Sequence, residues 1–310
     1  MRTRAATRPP CGCAKAFTPT IRNMTATAPA VPAASLPPFP DLPAVRLHGP
    51  RAGAATVAFQ GAQVLSWTTA DGVERLFLSP RSAHDGHTAI RGGVPVCCPQ
   101  FNQRGALPKH GFMRNLPWKL VSESSNGHVT GAVMALGDDE ATRALWPHAF
   151  QALLAVELSE DALRLSLTLR NTGDAPWSFT GALHTYLRVA DIARAQVDGL
   201  QGCARWDAVA DRRGMQEGAV RFDGEYDSVF EAPGAPLRVD TGQGVLAATQ
   251  GGWAENVVWN PGAQRCAALP DMPGDGFRHM LCVEAACVHR PVEVAPGAEW
   301  TGWQRFEVLR

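Results

Sequence analysis

The chain has 310 residues, 45% of them apolar, enough to bury a substantial core in one large β domain or two smaller ones. Its 29 basic residues cancel its 29 acidic ones, so no global positive field exists to gather nucleic acid or an anionic membrane, and any bound anion must be held by a local cluster. No run of about 18 consecutive apolar residues occurs, which argues against a membrane-spanning helix and sets the expectation of a soluble, cytoplasmic protein.

In chain order, residues 1–40 are rich in Ala, Pro, Thr and Arg, carry no acid and show no apolar periodicity, which predicts a disordered tail. Arg2, Arg4, Arg8, Lys15 and Arg22 also suit a transit peptide, and a translation start at Met24 is a third reading. Residues 41–310 are expected to form a single domain, since neither a Pro/Gly linker nor an internal repeat divides them. Strands are predicted at Thr56 to Phe59, Ala62 to Trp67, Gly131 to Ala135 and Gln151 to Leu158. The clearest follows: Leu163, Leu165, Leu167 and Leu169 alternate with Arg164, Ser166, Thr168 and Arg170 and stop at Asn171-Thr172-Gly173-Asp174, a pattern that predicts one core face and one wet face. Further strands are expected at Ser178 to Val189, Val245 to Thr249, Asn256 to Trp259, Met280 to Ala285 and Gln304 to Leu309. So many strands with scarcely a convincing amphipathic helix indicate an all-β chain built as a large antiparallel β-sandwich.

Eight cysteines are present, but Cys97 and Cys98 are adjacent, Cys11 and Cys13 lie in the expected tail, and a chain this long needs no staples, so they are expected to be reduced thiols. Cys282 with Cys287 comes nearest to metal-ligand spacing. Neither a CxxC nor a His-x3-His pair accompanies it, and no metal is expected.

Four segments could carry chemistry. In Ala89-Ile90-Arg91-Gly92-Gly93-Val94-Pro95, two glycines let backbone approach a ligand closely and Arg91 offers a planar fork suited to phosphate; an ordinary glycine turn with a solvated arginine is the plainer alternative. Leu107-Pro108-Lys109-His110-Gly111-Phe112-Met113-Arg114 sets His110 and Arg114 among aromatics on an irregular segment, as sugar sites do, although a lone histidine more often bridges turns. Alternation in Ala182-Leu183-His184-Thr185-Tyr186 puts His184 on the face of Ala182 and Tyr186, either as a hydrogen-bonded core residue or as an acid working near neutral pH. Glu284 is the single carboxylate in the apolar run Met280 to Cys287. Burial would raise its pKa into the range of a useful base, unless it faces solvent or pairs with an arginine.

Together with Gly61-Ala62-Gln63-Val64-Leu65-Ser66-Trp67, Leu145-Trp146-Pro147-His148, Gly224-Glu225-Tyr226-Asp227, Val257-Val258-Trp259-Asn260-Pro261, Asp271-Met272 and Ala295-Pro296-Gly297, these segments resemble, in order and over most of the chain, the aldose 1-epimerase superfamily and its hexose-6-phosphate mutarotase branch. The resemblance implies a galactose mutarotase-like supersandwich with a concave sugar site, His184 as general acid and Glu284 as general base. It further implies Arg91 and Arg114 holding a 6-phosphate, His110 and Asp227 near the sugar with Gln100 a weaker candidate, and neither cofactor nor metal. Asn102, Gly262 and Leu187 depart from the family pattern and leave the preferred hexose open. A mutarotase for unphosphorylated aldoses and a non-catalytic carbohydrate-binding module are the alternatives.

Overall fold

The computed structural model describes residues 34–36 and 39–310, with side chains from Leu42 onward. The readings of residues 1–33 as tail, transit peptide or upstream of a true start therefore lie outside the described residues. Within the stretch expected to be tail, Ala34–Leu36 and the beginning of Phe39–His48 are instead paired strands.

Three antiparallel sheets make up the described residues. A small sheet runs Ala34–Leu36, Phe39–His48, Ala54–Ala58, Val64–Thr68. A second, here the site sheet, runs Arg212–Met215, Ala204–Asp207, Tyr226–Glu231, Glu255–Asn260, Met280–Val294, Trp177–Leu183, Val96–Cys97, with Tyr186–Arg188 also paired to Met280–Val294. The third, the back sheet, runs Gln196–Asp198, Leu237–Asp240, Val245–Gly251, Glu299–Leu309, Ala162–Asn171, Phe150–Leu158, Thr130–Gly137, Lys119–Ser125. Among the described residues the α-helices are two six-residue pieces, Glu140–Leu145 and Gly262–Ala267, and none is long and apolar enough to cross a membrane. The six described cysteines are free thiols.

The main core lies between the site and back sheets. Leu163, Leu165, Leu167 and Leu169 meet Leu281, Val283, Ala285 and Cys287 in one buried cluster, so the leucine alternation is read correctly. The opposite face of that strand is half-buried rather than wet: Thr168 is buried and Arg164 lies over the Trp303 ring at 4.4 Å. The strand beginning at Met280 runs to Val294, well past its expected end. Its first nine residues are all buried because its second face, carrying Cys282, Glu284, Ala286 and Val288, is also covered. A strand covered on both sides loses its alternation and reads as a continuous apolar run.

The Arg91-Gly92-Gly93 segment threads between the small sheet and the site sheet. Gly93 N donates to the Phe77 carbonyl at 2.7 Å and Val94 N to the Val64 carbonyl at 2.8 Å. Gly93 has φ +59 and Gly92 φ +121, and a Cβ at either position would run into backbone, the Val64 carbonyl at Gly93 and the Phe77 carbonyl at Gly92. A side chain there would break the ladder that positions Arg91. Gly93→Ala is therefore expected to lower unfolding free energy by at least about 2 kcal/mol, read as a shifted urea midpoint at unchanged slope. A midpoint equal to that of the parent would show that the segment yields.

Candidate active site

The expected strand Ser178 to Val189 is two strands, Trp177–Leu183 and Tyr186–Arg188, and the interruption falls on His184 and Thr185. At the interruption His184 N turns to the Pro95 carbonyl, 3.0 Å away. The register nevertheless continues. Leu183 pairs with Ala285 and Tyr186 with Cys282, leaving the same two-residue gap on both strands, so His184 stands across from Glu284. In an antiparallel pair, opposed side chains project to the same face. His184 Nδ1 lies 3.4 Å from Glu284 Oε1, with 9% and 1% of the two side chains exposed. Neither His184 Nδ1 nor Glu284 Oε2 has a hydrogen-bond partner in the protein.

Burial opposes charge on both groups. It holds the His184 imidazolium well below the usual histidine range, helped by the Arg91 and Arg114 charges. It drives the Glu284 carboxyl well above the usual carboxylate range, helped by Asp227. Burial thus favours a neutral imidazole beside a protonated carboxyl. A carboxylic acid beside a neutral imidazole offers a ligand both a proton donor and a proton acceptor.

The cations sit on loops at the rim. Arg91 donates through Nε and Nη2 to the Asp271 carboxylate at 3.0 and 3.2 Å, and through Nη1 to the Tyr186 hydroxyl at 3.1 Å. The nearby phenol and carboxylate, in that order of weight, raise the guanidinium's pKa further. A guanidinium has five N–H donors, so this geometry fixes Arg91 while leaving donors for a ligand. Tyr186 stacks on His184, ring centroids 4.7 Å apart at 10°, which joins the arginine mechanically to the imidazole. Arg114, in the short turn Met113–Asn115, donates to the Lys109 carbonyl at 2.8 Å and keeps a buried Nε without a partner. Burial and the charges of Arg265, Arg91 and Arg114 lower the Lys109 pKa, while Asp227 opposes them. Four cations thus share one electrostatic neighbourhood. Asp227 faces the same region, its carboxyl pushed up to about 6 mainly by burial.

His110 is buried, adopts φ +67 and accepts a hydrogen bond at Nδ1 from Asn102 N at 3.2 Å. A neutral ring accepting there carries its proton on Nε2, and burial, followed by the His184 ring 5.4 Å away, keeps it neutral. The Gln100 amide nitrogen donates to the Asn102 and Leu107 carbonyls at 2.9 and 3.0 Å, and its oxygen accepts from Leu107 N at 3.0 Å. It staples the 100–107 loop. Sequence reasoning missed Tyr186, Lys109, Trp259 and Asp271 as site residues. Tyr186 could have been found, being two residues from His184 on the same strand face, and Lys109 directly precedes His110. Trp259, its ring 6.1 Å from His184, and Asp271 gave no local signal. Among the described residues His184, Cys282 and Glu284 form a group whose ligand atoms lie within 4.8 Å of one another.

An imidazole and a carboxyl opposed on one face of a large antiparallel β-sandwich, with cations beside them, are groups able to exchange protons with a ligand's hydroxyl and ring oxygens. The chain belongs to the aldose 1-epimerase family, whose sequence pattern matches residues 43–307. A relative from Cenchrus ciliaris, provisionally named a glucose-6-phosphate 1-epimerase, is 36% identical over 271 residues, 83% of this chain and 82% of that one. The crystal structure of a Salmonella typhimurium protein provisionally described as a mutarotase superposes with a TM-score of 0.80 at 31% identity, covering 87% of this chain and 91% of that one. A galactose mutarotase related enzyme from Lactobacillus acidophilus superposes with a TM-score of 0.69 at 14% identity, covering 86% and 97%, and shares the fold.

Proposed function

We propose that this chain interconverts the α and β anomers of a hexose 6-phosphate, glucose 6-phosphate foremost, in the cytoplasm. The observation that carries the reading is His184 facing Glu284 at 3.4 Å on neighbouring strands, beside Arg91 and Arg114. O1 and the ring oxygen O5 are bonded to the same carbon, so an acid and a base this close can reach both.

In the reactive form the carboxyl proton of Glu284 has passed to His184. Glu284 takes the O1 hydroxyl proton as His184 protonates O5, the C1–O5 bond breaks, and the aldehyde forms. This leaves a neutral imidazole and a carboxylic acid, the protonation state that burial favours. Rotation about C1–C2 presents the other carbonyl face, and closure returns both protons. Arg91 and Arg114, with Lys109 adding charge, hold the phosphate of the open chain so that it does not diffuse away. His110, through Nε2–H, and Asp227 receive the sugar hydroxyls.

Saturation-transfer NMR on equilibrated glucose 6-phosphate tests the reading: added protein should speed magnetisation transfer between the anomeric protons well beyond buffer. Transfer no faster than in buffer, with a correctly folded sample, means the reading is wrong. Faster transfer for galactose or glucose than for the phosphorylated sugar would favour an aldose substrate.

A further inference from the structure

We propose that His184, Cys282 and Glu284 form an inhibitory site for a thiophilic divalent cation, Zn2+ above all. The proposal rests on the catalytic reading only for its consequence; the binding itself follows from the donors.

Three features of the group coincide. It offers an imidazole nitrogen, a thiol sulfur and a carboxylate oxygen within 4.8 Å of one another, a donor set that suits zinc. The 3.4 Å between His184 Nδ1 and Glu284 Oε1 matches the edge of a tetrahedron with metal–nitrogen and metal–oxygen bonds of about 2.0–2.2 Å, which is about 3.3–3.5 Å. The approach is not a hydrogen bond, for His184 Nδ1 has no such partner, and Glu284 Oε2 is likewise buried and unpartnered. Cys282 is supplied by the same strand as Glu284, two residues earlier and hence on the same face. Its position opposite Tyr186 puts all three donors on adjacent strands. Calcium and magnesium prefer oxygen-rich shells and find a single carboxylate here.

The same atoms are the ones proposed to handle O1 and O5, so ion and sugar compete. Binding replaces the Cys282 thiol proton and the Glu284 carboxyl proton by the metal, releasing both to solvent, and occupies the lone pairs on His184 and Glu284 that would otherwise move protons.

The test uses full-length protein freed of metal with EDTA. Titration with Co2+ should produce a near-ultraviolet thiolate-to-cobalt charge-transfer band and the intense visible absorption of four-coordinate cobalt, both displaced by Zn2+. Zn2+ should inhibit anomer exchange competitively with glucose 6-phosphate and reversibly on adding EDTA. Cys282→Ala, and Cys282→Ser as a closer match in shape, should lose the charge-transfer band, retain metal-free exchange and need at least about tenfold more Zn2+ for half-inhibition. A wild-type protein that gives no thiolate band, or a Cys282→Ala protein as zinc-sensitive as wild type, overturns the proposal. The two readings separate cleanly. A cobalt band in a protein without exchange activity sinks the mutarotase reading alone, and activity without a band sinks the metal site alone.

Discussion

Glu284→Gln should reduce kcat for anomer exchange by roughly 10²–10⁴-fold, the usual contribution of a positioned acid or base, while leaving the fold intact. The carboxyl is 1% exposed and stands across from His184. An amide of the same shape keeps the packing but cannot take a proton from O1. KM should change little, because the phosphate and hydroxyl contacts lie elsewhere in the site. Thermal unfolding followed beside activity separates chemistry from stability: the midpoint should not fall, since a buried carboxyl held against its charged form gives way to a neutral group. A variant retaining more than a tenth of wild-type kcat would remove Glu284 from the base role.

Arg91→Ala should lower kcat/KM for glucose 6-phosphate by about 10–150-fold, corresponding to about 1.5–3 kcal/mol for hydrogen bonds to a charged group. Any rate on free glucose or galactose should change by less than about threefold on the same argument. The comparison matters because Arg91 also touches Asp271 and Tyr186, and Tyr186 stacks on His184. Were Arg91 chiefly a brace for the imidazole, both substrates would lose rate equally, and the phosphate assignment would fail. Arg91→Lys keeps the charge without the fork, so it should recover part of the loss on the phosphorylated sugar alone.

Much of the fold was legible because the back sheet obeys a local rule: Leu163 to Leu169 alternate as a strand with one face in the core must. Glu284 was legible for the opposite reason, as a carboxylate violating its apolar surroundings, and Arg91 because two glycines follow it. What stayed hidden depends on pairing. That His184 and Glu284 share a ladder position follows from register between strands far apart in sequence, which no local pattern encodes. Asp271 holds Arg91 across a sequence separation of 180 residues from a loop with no periodicity. The loop that Gln100 closes with both ends of its amide was hidden as well, since its partners Asn102 and Leu107 sit in an irregular segment. Short strands such as Arg212–Met215, exposed throughout, lack the buried face that sequence alternation reports.

The placement of the proposed acid and base on adjoining strands separates two design problems that many enzymes must solve together. Interstrand spacing, a property of any sheet, sets how far the imidazole stands from the carboxyl, whereas the cations, His110 and Asp271 hang from connecting segments at the rim. Side chains on those segments can be exchanged while the strand register that opposes His184 to Glu284 is kept. Substrate preference on this scaffold can drift while the reaction stays put, and an engineer seeking a new sugar should redraw the rim and leave the sheet alone.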